Sequence, residues 1–309
     1  MWRTVIVSNG QKMLVRDNWL HIFTETDEKR VPVGDLYSVV IDNPATLISQ
    51  KAVTALSEDG VHVIICDEKH LPSSVVLPLN CHSNAYLVFM RQLKISEGTK
   101  DGLWQKIVRQ KIINQADALR LAGVYPEKYK EIRELAEYVT PGDKKNVEAV
   151  AAKKYFQAFF GKSFRRTDSD ITNAALNYGY AIVRSAVAKT LTGYGYNCLL
   201  GLHHKSPTNS FNLADDLMEP LRPLVDLVVD DMCDELLEKL TFENKVKIIS
   251  LLNLPVKFDD KNMRVRYAID RYISSLTSFF NTGALEAFKL PSLIKLNRLF
   301  EDDLDNSDD

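Results

Sequence analysis

Short hydrophobic runs dominate the first part of the chain. Runs of five or six residues, rich in Val, Ile and Leu, are separated by turn-forming pairs such as Asn9-Gly10 and Asp17-Asn18. The pattern predicts one helix at 49–58 and strands at 3–8, 12–16, 20–24, 37–42 and 61–66. We therefore expect a small antiparallel, β-rich N-terminal domain at residues 1–83.

From about residue 84 the apolar positions recur at the three- and four-residue spacing of helices. Glycines mark two helix ends, because a helix predicted at 147–160 stops before Gly161 and one that starts near Ile171 stops at Gly193. The sequence thus predicts an α+β protein with a larger all-helical C-terminal domain at 84–300. The acidic tail at 301–309 is expected to be disordered.

Composition places the chain among ordinary globular proteins. Its 309 residues are 45% hydrophobic, which is enough to build one or two cores. No run approaches the roughly 18 apolar residues that a membrane span requires, so we expect a cytoplasmic protein with no membrane partner. The four cysteines are widely spaced and form no CxxC pair, which suits a reducing compartment and argues against zinc.

Charge is unevenly distributed. The formal net charge is -2, but the last nine residues carry six acidic side chains, so the rest of the chain sums to -2 + 6 = +4. Residues 94–166 hold sixteen Lys or Arg against nine Asp or Glu. This basic surplus is compatible with a phosphate-binding surface, although solvated helix faces give the same pattern.

Three segments carry residues suited to metal chemistry. Glu148 opens a predicted helix, where a carboxylate also suits the helix dipole. His203 and His204 follow Gly201, and adjacent side chains diverge too far to serve one small site together. Either histidine is equally compatible with an ordinary, partly buried position.

Asp216 and Glu219 stand three residues apart and share a face if the segment is helical. Two like charges on one face need a cation, which a divalent metal or nearby Arg222 could supply. Two carboxylates and one imidazole suit Mg²⁺ or Mn²⁺ better than zinc or copper. Spacing alone does not bring the three segments together.

The whole chain resembles the CRISPR-associated integrase family (CRISPR-associated protein one), especially members from type II systems. The resemblance rests on blocks that begin at Trp2-Arg3-Thr, Asn146-Val-Glu148-Ala, Ala175-Leu-Asn-Tyr, Gly201-Leu-His-His204 and Phe211-Asn-Leu-Ala. The last block runs to Pro223, and Leu221 stands where the family usually has an aromatic residue.

The resemblance implies that Glu148, His204 and Glu219 are the catalytic metal ligands, with Asp216 only auxiliary. It further implies a homodimer formed through the β-rich domain, and an assembly of four integrase subunits with two copies of CRISPR-associated protein two. Double-stranded DNA, as prespacer and CRISPR repeat, is the implied substrate.

The expected reaction is a transesterification that joins the 3′-OH ends of short DNA fragments to the edge of a CRISPR repeat. No ATP is needed, in keeping with the lack of a G-x-x-x-x-G-K-[ST] loop. Two alternatives stay open: a metal-dependent DNA endonuclease, with water as the nucleophile, and a non-catalytic DNA-binding scaffold.

Overall fold

The computed structural model describes residues 3–78 and 82–295, and the chain divides into two compact units. One contains the chain up to Val88 together with Leu191–Tyr196, and the other contains Phe89–Thr190 and the chain from Asn197 onward. The predicted boundaries at 83 and 300 and the dimerising role of 1–83 stay predictions. The predicted disorder of 301–309 lies outside the described residues.

In the described part of the first unit, two four-stranded sheets are accompanied by one complete helix. One sheet has the order β1-β5-β7-β8 and the other the order β4-β3-β2-β6. The strands are β1 (Arg3–Val7), β2 (Lys12–Arg16), β3 (Trp19–Phe23), β4 (Glu28–Pro32), β5 (Leu36–Ile41), β6 (Leu47–Ile48), β7 (His62–Cys66) and β8 (Pro72–Val76). The helix, α1, spans Gln50–Glu58 and begins after Ser49, whose side chain accepts a hydrogen bond from the backbone N–H of Ala52.

The expectation of an antiparallel domain is wrong for the first sheet, where β1, β5 and β7 run parallel. All six residues of β5 are buried, which is typical of a parallel strand covered on both faces. Helix α1 lies in the connection from β5 to β7, the kind of crossover that parallel strands require. The β2–β3 hairpin is antiparallel, with Asp17 and Asn18 in left-handed conformation at its turn, as predicted.

The second unit is mostly helical, and the α+β class is confirmed. Its long helix α3 packs against α4, α5, α7 and α8. The helices after α1 are α2 (Ala85–Lys94), α3 (Glu97–Leu121), α4 (Pro126–Leu135), α5 (Val147–Phe160), α6 (Ile171–Gly193), α7 (Asn212–Met218), α8 (Arg222–Asp231), α9 (Phe242–Ser250) and α10 (Val265–Thr282). Among the described helices, none is long and apolar enough to cross a membrane.

The C-terminal region is not all-helical, because it contains a β-hairpin. Strands β9 (Pro255–Phe258) and β10 (Lys261–Arg264) pair antiparallel. Asp259 and Asp260 form the turn, with φ values of 47° and 62° that suit a two-residue hairpin. The hairpin is short and lies between two helices, so helical periodicity on both sides conceals it.

Candidate functional site

Glu148 is the second residue of α5, and its backbone is held by a carboxylate from the preceding turn. Asp143 accepts hydrogen bonds from the backbone N–H groups of Val147 (3.0 Å) and Glu148 (2.9 Å). Asn146, the residue before the helix, has left-handed backbone (φ 52°) and makes no side-chain cap. Since Asp143 satisfies these helix donors, the Glu148 side chain is not needed for capping and instead contacts Lys111 of α3.

Glu219 lies in a single 3₁₀ turn between α7 and α8, and its side chain is only 6% exposed. Arg222 Nε lies 2.8 Å from Glu219 Oε1, and Lys111 Nζ lies 2.5 Å from Glu219 Oε2. Burial by itself raises the pKa of Glu219, but the charges of Arg222 and Lys111 outweigh it and lower the pKa to about 2. Glu219 is therefore a buried, fully ionised carboxylate.

Lys111 links the two carboxylates. Its side chain is 9% exposed, and the ammonium group contacts both Glu148 and Glu219. Burial alone lowers the pKa of Lys111, but Glu219 and Glu148 outweigh this effect and raise the pKa above its usual value. The structure thus brings two of the predicted ligands, Glu148 and Glu219, to one shared positive charge.

Asp216 organises the loop that carries the histidines. This fully buried carboxylate accepts hydrogen bonds from the backbone N–H groups of Leu202 (2.6 Å), His203 (3.0 Å) and His204 (3.1 Å). A Cβ on Gly201 would lie 2.2 Å from the His204 carbonyl oxygen, so only glycine lets the loop fold this tightly. Asp216 therefore acts on this loop, and it does not share a cation with Glu219.

His204 is oriented by the same carboxylate. Its Nδ1 lies 2.6 Å from Asp216 Oδ1, which leaves Nε2 as the ring nitrogen suited to a metal. The hydrogen bond to Asp216 raises the pKa of His204 against the opposing effect of burial, and the charge of Glu219 adds to the increase. The imidazole thus lies within electrostatic reach of Glu219.

His203 faces a different partner. Its exposed ring stacks on the buried Trp104 with ring centroids 4.3 Å apart and planes 2° apart. His204 meets the same Trp104 edge-on, at 5.8 Å and 85°. The two imidazoles are nearly perpendicular, as expected for adjacent residues, and only His204 is held by a carboxylate.

The three predicted ligands fit a divalent cation in chemistry, though their side chains do not yet converge. Within residues 3–78 and 82–295, no three His, Cys, Asp or Glu side chains are close enough to hold a metal as they stand. Oε2 of Glu219 is buried and lies 2.5 Å from the Lys111 ammonium nitrogen. A buried carboxylate oxygen beside a second carboxylate suits Mg²⁺ or Mn²⁺.

A buried polar network centred on Asp226 contacts Arg222, the residue that pairs with Glu219. Asp226 of α8 accepts hydrogen bonds from the hydroxyl groups of Tyr155 (2.9 Å) and Tyr180. Burial raises the pKa of Asp226 to about 6, against the opposing effect of these hydrogen bonds. The guanidinium of Arg222 lies 4.6 Å from the centroid of the Tyr180 ring. Tyr155, Tyr178 and Tyr180 are all buried.

Exposed basic residues lie along and beside α5. Lys154 pairs with Glu131, and Arg166 donates a 2.7 Å hydrogen bond to Asn177, so these two cations serve internal contacts. Five other basic residues of this region are exposed: Lys144, Lys145, Lys153, Lys162 and Arg165. Lys144 and Lys145 directly precede the helix that carries Glu148.

Three residues that build the site are not among the predicted ones: Lys111, Asn114 and Asp143. The fully buried Asn114 donates hydrogen bonds to the carbonyl oxygens of Pro220 (2.6 Å) and Pro291 (3.1 Å), and so holds the turn that carries Glu219. A signal for two of them exists in the sequence. Lys111 and Asn114 fall on the largely apolar face of α3, where a polar residue needs a buried partner.

Comparisons with known proteins point to one family. The family described as CRISPR associated protein Cas1 matches residues 4–254. The CRISPR-associated endonuclease Cas1 of Neisseria meningitidis serogroup C (strain 8013) is 40% identical over 297 residues, which cover 96% of this chain and 97% of that protein.

Two solved structures share the fold. A casposase bound to integration product superimposes with a TM-score of 0.77 at 20% identity, covering 97% of this chain and 94% of that chain. A chain of a Cas6-RT-Cas1–Cas2 complex gives a TM-score of 0.74 at 19% identity, covering 96% of this chain and 36% of that chain. The resemblance expected from the sequence is confirmed, and the chain belongs to the CRISPR-associated Cas1 family.

Proposed function

We propose that this chain is a divalent-metal-dependent DNA integrase of CRISPR adaptation, which joins short DNA fragments into a CRISPR array. The observation that carries the proposal is the pair Glu148 and Glu219 on one shared cation, next to an imidazole fixed by Asp216. Glu148, Glu219 and Nε2 of His204 would hold Mg²⁺ or Mn²⁺. The bound cation would polarise the scissile phosphate and stabilise charge on the attacking or leaving oxygen.

The reaction exchanges one phosphodiester for another. The 3′-oxygen of the incoming fragment attacks phosphorus at the repeat edge, its proton is released, and the bond to the 3′-oxygen of the repeat strand breaks and leaves a hydroxyl group. No external energy source is needed, because bonds of the same type form and break. The task of the protein is to hold hydroxyl and phosphate in line and to keep charge balanced around them.

Each residue of the site has a defined part in that task. Asp216 fixes the direction of the His204 ring and its tautomer, so that Nε2 is the nitrogen with the lone pair when the ring is neutral. Arg222 keeps Glu219 ionised and fixes one of its oxygens. Asp143 sets the start of α5, and hence the position of Glu148.

DNA would bind along the exposed basic residues that flank α5. Phosphate contacts of this kind give affinity without sequence preference and fall off steeply with salt. The Cas1–Cas2 complex among the structural neighbours supports the small partner protein as a second contact. We extend this to a homodimer, and to an assembly of four of these subunits with two of the partner.

The same site could instead use water and cleave DNA, and the endonuclease name of the meningococcal relative favours keeping this second function. The products separate the two reactions. Integration joins the fragment to the plasmid, whereas hydrolysis leaves a cut strand with nothing attached.

The experiment is joining of a labelled short duplex to a supercoiled plasmid that carries the repeat, with the partner protein and either Mn²⁺ or EDTA. Wild type is compared with His204→Phe, which keeps an aromatic ring without a ligand nitrogen, and with His203→Phe, which keeps the stack on Trp104. We expect metal-dependent joining in wild type and His203→Phe, and none in His204→Phe. Cutting without joining would favour the nuclease, and joining in EDTA would refute the metal site.

A further inference from the structure

Lys111 lies where two acidic side chains need a positive charge. Its ammonium contacts Glu148 and Glu219, and its side chain is 9% exposed. A lysine this buried is unusual unless it is paired, and here both partners are proposed metal ligands. The lysine and the metal therefore compete for the same two carboxylates.

The charges around Glu219 already balance without a metal. Lys111 and Arg222 carry two positive charges, and Glu148 and Glu219 carry two negative charges. A divalent cation added to this group leaves an excess of two positive charges in a region of low dielectric, which is costly. One phosphodiester contributes one negative charge and removes part of that excess.

The two basic residues differ in their freedom to move. Arg222 donates from Nε to Glu219 and stacks on the Tyr180 ring, so its planar group is fixed on two sides. Lys111 is a compact charge on a flexible four-carbon chain, and its ammonium contacts Glu219 and donates a hydrogen bond to Glu148. Lys111 is thus the group that can leave the carboxylates.

We propose that Lys111 is an internal cation that keeps the metal site closed in the DNA-free protein, and that it moves from Glu148 and Glu219 to a DNA phosphate oxygen when metal and DNA bind together. This inference rests on the proposed function, since it takes Glu148 and Glu219 as metal ligands. Its consequence is that DNA raises the affinity for metal, and by thermodynamic linkage metal raises the affinity for DNA by the same factor.

The test is direct measurement of Mn²⁺ binding, from the electron paramagnetic resonance signal of free Mn²⁺, with the full chain. Titrations are run with and without a short duplex whose dideoxy 3′ ends carry no hydroxyl, so that no reaction occurs. The variants are Lys111→Gln, Lys111→Met as a second replacement in case the first does not fold, and Glu219→Gln. Lys106→Gln is the matched control, because Lys106 lies on the same helix but donates to the carbonyl oxygens of Leu285 and Phe288.

In wild type and Lys106→Gln we expect the duplex to tighten Mn²⁺ binding by at least about tenfold. In Lys111→Gln the DNA-free protein should bind Mn²⁺ about tenfold more tightly than wild type, and the duplex should then add less than about threefold. Thermal melts in EDTA should show a less stable Lys111→Gln protein that Mn²⁺ restores, because the two carboxylates lose their cation.

Two results would overturn the role of Lys111 while leaving the metal site intact. One is wild-type binding of Mn²⁺ that is equally tight with and without duplex. The other is wild-type behaviour of both Lys111 variants while Glu219→Gln loses binding. If Glu219→Gln binds Mn²⁺ like wild type, the proposed metal site is wrong, and the role of Lys111 is overturned with it.

Discussion

Replacing Asp216 with Asn tests whether this residue acts through His204. The carboxylate is fully buried and accepts four hydrogen bonds, two at each oxygen. Asn keeps the shape but turns one acceptor into an NH₂ group. In one orientation this group faces the N–H groups of Leu202 and His203, and in the other it faces the N–H and Nδ1 of His204.

The second orientation costs less, because the His204 ring can respond. Its Nδ1 can accept from the new NH₂ group if the ring proton moves to Nε2. A ring with its proton on Nε2 cannot bind a metal through that atom. The backbone N–H of His204 still loses its acceptor, and the remaining bonds lose their charge.

The expected loss follows from these contacts. The variant loses the two hydrogen bonds from His204 to the charged carboxylate, which contribute about 1.5–3 kcal/mol each. It regains one neutral hydrogen bond, from the Asn NH₂ group to Nδ1, which contributes about 1 kcal/mol. Asp216→Asn should therefore lower the unfolding free energy by about 3 kcal/mol. Second-sphere changes of this kind typically weaken metal affinity by about 10–100-fold. Joining activity should fall in parallel.

Three measurements check the reasoning: urea denaturation, Mn²⁺ titration and the ¹⁵N NMR shifts of the His204 ring, which report the tautomer. Asp215→Asn is the control, since Asp215 is on the same helix and accepts from the Asn209 side chain instead. A purely structural residue would lower stability without moving the tautomer. If Asp216→Asn keeps the wild-type tautomer and binds Mn²⁺ within about twofold of wild type, the positioning role is wrong.

The remaining predictions concern helix α5, the buried network and the DNA surface. Asp143→Ala removes two hydrogen bonds at the start of α5 and should lower the unfolding free energy by about 2 kcal/mol in urea, while Ala at the exposed Glu137 should change little. Asp226 has a folded pKa of about 6 against 3.8 in the ordinary state, so the folded protein keeps a proton that the unfolded chain has released. Wild type should therefore lose about 3 kcal/mol relative to Asp226→Asn as the pH rises from about 4 to about 7, and a pH-independent difference would contradict this. Replacing Lys144 and Lys145 together with Ala should reduce the slope of log K against log salt for DNA binding by about 0.9 per lost phosphate contact, and an unchanged slope would remove them from the DNA surface.

Much of the fold is predictable because its signals are local. Helix α5 spans the predicted residues 147–160, since Gly161 ends it with a φ of 97° that glycine adopts easily. The β2–β3 turn follows from Asp17 and Asn18 in the same way. The parallel pairing of β1 and β5 cannot be predicted in this way, because it depends on contacts between residues far apart in sequence. Short hydrophobic runs look alike in parallel and antiparallel sheets.

The same difference between local signals and long-range contacts applies to the residues of the site. Glu148, His204 and Glu219 are identifiable from the family resemblance, and their metal-binding role stays a prediction. Asp216 shows the limit of spacing: its position three residues before Glu219 suggests a shared partner, whereas its carboxylate folds the histidine loop instead. Lys111 has a signal in its place on the largely apolar face of α3, but its two carboxylate partners become known only from the packing of that helix.

Helix α3 fixes the relative positions of three parts of the site that are far apart in the chain. Trp104 contacts the histidine loop, Lys111 contacts Glu148 and Glu219, and Asn114 holds the turn that carries Glu219. Lys111 comes seven residues after Trp104, and Asn114 comes three residues after Lys111. Both spacings are close to whole helical turns, so the three side chains lie on the same side of α3. One residue inserted between Trp104 and Lys111 would rotate Lys111 and Asn114 by about 100° relative to Trp104 and move them about 1.5 Å along the helix axis. The number of residues between these three positions is therefore as strict a requirement of the site as the identity of any ligand.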